Sequence, residues 1–298
     1  MKRQGIITAA LCAAVLLSGG CTQAELRHFD VRRDLSVYFA NADSVIDAMR
    51  QGFAQHSAGI TVTYRSSSDN MEDIPAVMRE LVRFALSETD DPREGDYIYH
   101  QYGGYELGYN CTETDGSYSY EITVIPDYYT TPAQEKTVTE RVREVLSSLE
   151  LDGKSEAQKA AAIYGWVYDN VSYDKVHRKN PHYHLKSTAY AALVNGCAVC
   201  QGYSVLMYRL LREAGLDCRV ITGYAHSGEE SEYHAWNIVR LGTAYYNIDV
   251  TWDRQRGTHD FFLKGESGFS ETHIRDAEFS SDGFLAQYPM SENDYDEI

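Results

Sequence analysis

The sequence of 298 residues is poor in basic side chains and in long apolar runs, and each shortage excludes a class of protein. Lysine and arginine number 27 against 44 aspartates and glutamates, which gives a formal net charge of −17. Nucleic acid and anionic lipid both require positive charge close to phosphate, so neither is an expected partner. Beyond the N-terminal signal described next, no segment approaches the roughly 18 consecutive apolar residues of a membrane-spanning helix, and we expect this part of the chain to be water-soluble.

The N-terminus has the pattern of an export signal. Lys2 and Arg3 precede an apolar run at 6–17 that is too short to span a bilayer permanently. The following LSGGC resembles the bacterial lipoprotein signal, although Ser18 stands where leucine is usual. The resemblance implies cleavage before Cys21, acylation of its sulfur, and an extracytoplasmic protein anchored to a membrane by lipid. Cleavage that leaves a free or disulfide-paired cysteine is the alternative.

Four regions are predicted along the chain. A signal peptide at 1–20 is followed by an N-terminal α+β region at 30–130, a core at 131–263 and a C-terminal extension at 264–298. In the N-terminal region two helical patterns flank the strand ITVTYR, and tyrosine-rich strands with a DG turn signal follow. The tyrosines are expected to pack within the sheet rather than to form a binding surface.

Two helix starts mark the beginning of the core. Thr131 with Gln134, and Ser155 with Gln158, have the capping-box pattern, in which a hydroxyl and an amide each satisfy a backbone N–H group of the other residue. Pro132 occupies the first helical position, where its missing N–H costs nothing. Apolar residues then recur on one face of each predicted helix.

A cysteine stands at the start of a third predicted helix. The run QGYSVLMYRLLREAG after Cys200 has helical periodicity, with Leu206 and Leu210 one turn apart and Gly215 as the C-terminal stop. Unpaired N–H groups and the positive end of the helix dipole stabilise an anion in the first turn, which favours the thiolate form of a cysteine. The same N–H groups are suited to donate to an oxyanion. Cys200 is therefore the predicted nucleophile.

A histidine and an aspartate lie on the two sides of a predicted hairpin. In YHAWNIVRLGTAYYNIDVTWD, a tight turn centred on Leu241 and Gly242 places His234 directly opposite Asp249. Opposed residues have Cβ atoms about 5 Å apart, so the carboxylate can hold one imidazole nitrogen and leave the other for the thiol. A register shifted by one residue would separate them. The same pairing directs Asp253 away from the histidine.

The runs GCAVCQGYS, HAWNIV and NIDVTWD together resemble the transglutaminase-like superfamily over about 131–263. The resemblance implies Cys200 as nucleophile, His234 as general base and acid, and Asp249 as the residue that orients the histidine. It also implies an α+β, papain-like fold in which the cysteine helix packs on an antiparallel sheet bearing the histidine and aspartate. Cys197 departs from the usual pattern; a structural role is favoured, and a reversible disulfide with Cys200 is the alternative.

Two other chemistries fit the residues less well. A C-x-x-C pair at a helix start is also typical of thioredoxin-like proteins, but those have a proline loop facing the cysteines, and no proline occurs here between 181 and 289. Zinc is suggested by a histidine cluster beside the cysteines, yet the spacing is not that of a structural zinc site. The cluster consists of His177, His182 and His184.

The function expected from these patterns is acyl transfer. We expect an exported cysteine enzyme that attacks an amide of a peptide, a protein or cell-envelope material, forms a thioester on Cys200 and needs no cofactor. Peptide hydrolysis is favoured over deamidation and transamidation. The alternative is a lipoprotein that keeps the fold as a non-catalytic module binding peptides or cell-wall material.

Overall fold

The computed structural model describes residues 2–9, 42–69 and 71–296. They form two compact units, one drawn from Met1–Thr89 and Tyr102–Tyr128, the other from Asp90–Gln101 and Tyr129–Ile298. Cys21 and the rest of the predicted signal after residue 9 lie outside the described residues. Within the described ranges, no helix has both the length and the apolar character needed to cross a bilayer.

The first unit is an antiparallel sheet with two helices. Its described elements are α1 (Ala42–Ala54), α2 (Ile74–Ala85), β1 (Lys2–Ala9), β2 (Ile60–Ser66), β3 (Tyr102–Thr114) and β4 (Ser117–Tyr128). The strand order is β1-β3-β4-β2. Thus the first residues of the predicted signal form a strand at the sheet edge, and export itself stays a prediction.

Local signals explain the hairpin of this sheet. Asp115 and Gly116 both have positive φ, 50° and 75°, as a two-residue turn that matches the strand twist requires, so the DG turn is confirmed. Tyr64 and Tyr120 stack with ring centroids 5.5 Å apart and are buried, as is Tyr105. These tyrosines therefore belong to the packing of the sheet.

The second unit combines a larger set of helices with two small sheets. Its described helices are α3 (Asp96–Tyr99), α4 (Pro132–Ser148), α5 (Glu156–Asn170), α6 (Ala189–Val194), α7 (Cys200–Glu213), α8 (Val250–Arg256), α9 (Glu266–Phe269) and α10 (Asp282–Gln287). Its described strands are β5 (Ser172–Tyr173), β6 (Cys197–Ala198), β7 (Cys218–Ser227), β8 (Glu230–Leu241), β9 (Ala244–Ile248) and β10 (His273–Arg275). Short 3₁₀ turns lie at His184–Ser187 and Ala277–Ser280.

Helix α7 packs on an antiparallel sheet of order β10-β7-β8-β9, while β5 and β6 form a separate parallel pair. Both predicted capping boxes are present, at Thr131 for α4 and at Ser155 for α5. The buried Asn237 of β8 donates to the carbonyl oxygen of Ser204 at 3.0 Å and to that of Arg219 at 3.2 Å, which ties α7 to the sheet. The α+β fold with a cysteine-bearing helix on a histidine-bearing antiparallel sheet is thereby confirmed.

The segment at 90–101 lies in the second unit, whereas the sequence placed it inside the N-terminal region at 30–130. The reason is an ion pair that the sequence does not reveal. Asp96 of α3 accepts from the guanidinium of Arg219 at 2.8 and 3.0 Å and from the backbone N–H of Val220 at 2.7 Å. A buried carboxylate needs such donors, and residues of β7 supply them here.

The predicted C-terminal extension at 264–298 is part of the main sheet rather than an appendage. Its strand β10 pairs with β7, where Arg275 faces Gly223. A Cβ atom at Gly223 would lie 2.1 Å from the carbonyl oxygen of Ile274, so this close approach requires glycine.

The register of the β8–β9 hairpin differs from the prediction. Leu241 pairs with Ala244, so the turn has two residues but is centred one position later than expected. Leu241 is buried in the strand, and Gly242 takes the first turn position with φ 62°. The expected direct opposition of His234 and Asp249 is therefore wrong. The pairing partner of each residue is shifted by two positions along the neighbouring strand. Side chains alternate between the two faces of a strand, so a shift of two keeps His234 and Asp249 on the same face.

Candidate active site

Helix α7 begins at Cys200, as the sequence predicts. The preceding residue, Val199, is extended (φ −88°, ψ 176°), and its side chain makes no capping hydrogen bond. The N–H groups of the first turn are thus not taken by a cap side chain. Cys200 and Cys197 are both partly buried free thiols, and a reversible disulfide between them stays the untested alternative to a structural role for Cys197.

The start of α7 is held by the segments around it. β6 pairs in parallel with β5, and the backbone N–H of Val199 donates to the carbonyl oxygen of Lys186 at 3.0 Å. Gly202 permits this approach, because a Cβ atom there would lie 2.7 Å from the Cβ of Ala198 and 3.0 Å from the Lys186 oxygen. The position of Cys200 is therefore set by close packing of backbone against backbone.

His234 and Asp249 are in direct contact. The Nε2 atom of His234 lies 2.7 Å from Oδ2 of Asp249, and both side chains are buried. Asp249 does not lie within the sheet as expected but follows β9 as the N-cap of α8, where Oδ1 accepts from the backbone N–H of Trp252 at 3.0 Å. Cys200 lines the same cleft as His234, and the negative charge of Cys200 contributes to the raised pKa of His234. Since Asp249 engages Nε2, Nδ1 is the nitrogen left for the thiol.

A second histidine reaches the same carboxylate. Nε2 of His273, on β10, lies 3.1 Å from Oδ2 of Asp249, and its Nδ1 lies 2.9 Å from Oγ1 of Thr272. No motif marks His273 in the sequence, where it stands within ETHIRD in the predicted extension. The sheet brings it to the site because β10 pairs with β7, next to the strand that carries His234.

The charges of these groups depend on one another. Burial alone would raise the pKa of Asp249, but the positive charge of His234 and the hydrogen bonds from His234 and His273 hold it well below its usual range. Burial alone would lower the pKa of His234, but the negative charges of Asp249 and Cys200 raise it to about 10. Burial lowers the pKa of His273, so this imidazole is neutral near neutral pH. The arrangement therefore favours an imidazolium at His234 beside an ionised Asp249.

Cys200 and His234 open onto a cleft of ≈ 370 Å³, which adjoins a second cleft of ≈ 280 Å³. The two clefts share four wall residues, namely Tyr173, Arg178, Glu232 and His234. Arg178 and Glu232 form an ion pair at 3.3 Å that joins the loop after β5 to β8. A space of this size is typical of small-ligand sites and accommodates a few side chains of a peptide.

Tyr173 is a cleft residue that the sequence reasoning missed. Its position follows from the pairing of β5 with β6, which sets Tyr173 beside Ala198 in the register and on the same cleft as Cys200. Burial raises the pKa of Tyr173, and the negative charge of Cys200 raises it further, so the phenol stays protonated. A short strand of two residues leaves little periodicity in the sequence by which to find it.

The histidines suggested for zinc are not brought together. His177 bonds to Asp174 at 2.9 Å, His184 stacks on Tyr129 with ring centroids 4.6 Å apart, and His182 is exposed. In the described part of the chain, the group whose geometry would suit a metal ion is instead His234, Asp249 and His273. With Asp249 ionised, both histidine Nε2 atoms carry protons directed at it, so these nitrogens offer no free lone pair.

Comparison with known proteins shows similarity over part of the chain. Residues 143–250 match the family model described as the transglutaminase-like superfamily, which confirms the resemblance seen in the sequence. The chain is 29% identical to "Kyphoscoliosis peptidase" of Mus musculus over 131 residues, which are 40% of this chain and 19% of that protein. The protein of the same name from Homo sapiens is 28% identical over 131 residues, with the same coverage of 40% and 19%. The chain thus spans about a fifth of the length of the curated relatives that it matches, 19% in each case.

Among solved structures, one described as a TGase is 21% identical and has a TM-score of 0.36. The match covers 49% of this chain and 45% of that chain.

Proposed function

We propose that the domain of the transglutaminase-like superfamily at residues 143–250 makes this chain a cysteine-dependent acyl-transfer enzyme that acts on amide bonds. One observation carries the proposal. Cys200 at a helix start lines the same cleft as His234, which in turn contacts the buried Asp249 at 2.7 Å. A nucleophile, a base and a group that orients the base are the three parts that thiol acyl transfer requires.

The first half of the proposed reaction forms a thioester. The Cys200 thiolate adds to the amide carbonyl carbon, and the carbonyl π electrons move to oxygen, giving a tetrahedral oxyanion. First-turn N–H groups of α7 are suited to donate to that oxygen. The oxyanion then collapses with cleavage of the C–N bond, and the His234 imidazolium gives its proton to the leaving nitrogen, so a neutral amine departs.

The second half releases the acyl group. His234, now neutral, takes a proton from water as the oxygen attacks the thioester carbon. Collapse of this second tetrahedral species breaks the C–S bond and returns the thiolate beside an imidazolium. With an amine in place of water, the same steps give a new amide, so the triad alone does not select the acceptor.

We favour water as the acceptor and a peptide as the substrate. The curated relatives carry the name peptidase, and the joined clefts of ≈ 370 and ≈ 280 Å³, the first of which Cys200 lines, suit an extended chain. We further propose export and membrane attachment through a lipid on Cys21, which would direct the enzyme to peptides, proteins or cell-envelope material outside the cytoplasm.

The test is capture of the acyl-enzyme. Purified protein is incubated with a peptide mixture, quenched in acid and digested, and the mass of the Cys200 peptide is measured. We expect an acyl adduct that hydroxylamine removes, because thioesters are cleaved by this nucleophile. Cys200→Ala should abolish the adduct and all turnover, while Cys197→Ala, three residues away, should retain both.

Turnover that survives Cys200→Ala would exclude this mechanism. Absence of any adduct, together with peptide binding that is unchanged in His234→Ala, would support the non-catalytic binding module instead.

A further inference from the structure

We propose that His273 is a positioning residue, which fixes the carboxylate of Asp249 and so extends the Cys200–His234–Asp249 arrangement by one member. The inference rests on the proposed function. His273 lies outside residues 143–250, the range that the family model matches, and outside the predicted core at 131–263.

The carboxylate of Asp249 is buried and needs several donors. Oδ2 accepts from His234 at 2.7 Å and from His273 at 3.1 Å, while Oδ1 accepts from the backbone N–H of Trp252 at 3.0 Å. The donors to Oδ2 come from different strands and that to Oδ1 comes from helix α8. Donors on both oxygens prevent rotation of the carboxyl group, and so the direction in which it holds His234 is fixed.

His273 is itself held in one orientation. Its ring stacks on Phe269 with centroids 3.9 Å apart, and Nδ1 lies 2.9 Å from the hydroxyl of Thr272. Its side chain is 0% exposed. Because Asp249 is an acceptor only, Nε2 of His273 carries the proton, and Nδ1 accepts from Thr272.

The charged groups around His273 are consistent with a neutral donor. Asp249 attracts a proton to it, while the positive charges of His234 and Arg256 and its burial oppose a second proton. A neutral imidazole donates to the carboxylate without cancelling its charge, which leaves that charge to stabilise the imidazolium of His234.

The test compares two substitutions in the full chain. Glutamine matches the reach of Nε2 and keeps an N–H donor, whereas leucine removes the donor; both lose the ring that stacks on Phe269. The measurement is the second-order rate of iodoacetamide alkylation of Cys200 between about pH 5 and pH 9. At pH 6.5 we expect His273→Leu to react about tenfold more slowly than wild type, and His273→Gln to stay within about threefold of it.

Two results would overturn the inference. Wild-type rates in His273→Leu would show that the donor is not needed. Equal losses in the two variants, with unchanged near-ultraviolet circular dichroism, would assign the effect to ring packing rather than to the hydrogen bond.

Two controls separate this inference from its alternatives. Treatment of the wild-type protein with EDTA should leave the pH dependence of the Cys200 alkylation rate unchanged. If that pH dependence were restored only by added zinc, His273 would be a metal ligand rather than a hydrogen-bond donor. If wild-type Cys200 reacts no faster than an ordinary thiol, the proposed function fails first and the role of His273 fails with it. A reactive wild type with an equally reactive His273→Leu refutes the role of His273 alone.

Discussion

Replacing Asp249 by asparagine tests the electrostatics of the site with almost no change of shape. The carboxylate accepts from Nε2 of His234 at 2.7 Å, from Nε2 of His273 at 3.1 Å and from the N–H of Trp252 at 3.0 Å. An amide has one acceptor oxygen and one NH₂ group. If the oxygen stays on the Trp252 N–H, the NH₂ group faces both histidines, and His234 must shift its proton to the nitrogen beside Cys200.

The structure sets the size of the effect. Hydrogen bonds to a charged group contribute about 1.5–3 kcal/mol each, so the two from histidine represent about 3–6 kcal/mol, or two to four orders of magnitude in turnover. The alkylation rate can fall by a smaller factor than turnover. An ordinary thiol is about 1% thiolate at pH 6.5, so the rate can fall at most about a hundredfold there.

The assay is the iodoacetamide rate at Cys200, followed by mass analysis of the alkylated peptide. We expect Asp249→Asn to lose about 30- to 100-fold at pH 6.5 and to approach the wild-type rate near pH 9, where an ordinary thiol is also ionised. The matched control is Asp253→Asn, because Asp253 is buried on the same helix but contacts Tyr164, Thr258 and Phe261 instead of His234.

Asp249→Asn with a wild-type rate at pH 6.5 would refute the reasoning, provided that its circular dichroism is native. It would mean that the negative charge behind His234 has no influence on the thiol. An equal loss in Asp253→Asn would mean that the effect is not specific to the carboxylate that contacts His234.

Further predictions concern stability. Asn237→Leu removes the amide that joins α7 to the sheet and should lower the free energy of unfolding by about 1–3 kcal/mol in urea titrations. An unchanged free energy of unfolding would show that this amide does not stabilise the contact. Gly202→Ala introduces a methyl group 2.7 Å from the Cβ of Ala198 and should lower the free energy of unfolding by about 1–3 kcal/mol. Gly165→Ala is the control, because no atom lies within 4 Å of its new methyl group, and it should leave the free energy of unfolding unchanged or raise it by up to about 1 kcal/mol. Equal stability of the two variants would contradict the packing argument. Because the pKa of His234 is raised to about 10, its ionisation contributes to the free energy of unfolding. This stabilisation is complete below about pH 6.5 and is lost as the pH rises through about 10. The lowered pKa of Asp249 gives a contribution that is present above about pH 4 and is lost on acidification. The difference in free energy of unfolding between wild type and Asp249→Asn, measured in urea, should therefore be largest near pH 5–6 and should be smaller at about pH 10.5. A difference that grows between about pH 6 and pH 10.5 would contradict the expected direction of this pH dependence.

Local signals in the sequence were sufficient for three helix starts and for one turn. The capping boxes at Thr131 and Ser155 and the turn at Asp115 depend on groups within four residues of one another, so their partners can be read directly from the chain. The same holds for the start of α7 at Cys200. Matching three motifs to one family then predicted that a cysteine helix would meet a histidine strand.

Pairing between residues distant in sequence was decided by contacts in the tertiary structure. The β8–β9 register depends on whether Leu241 prefers the buried strand to the turn, and burial is a property of the assembled unit. Asp96 belongs to the second unit because Arg219, distant in sequence, neutralises it there.

The sequence by itself determined that a thiol stands at a helix start and a histidine on a strand, because neighbouring residues set both. Only the tertiary structure decided how these groups are charged and supported. It brought His273, from a segment without any motif, to Oδ2 of Asp249, the oxygen that also contacts His234. A pKa and a hydrogen bond of this kind arise from burial and from strands meeting in space, and neither is encoded at any single position in the chain.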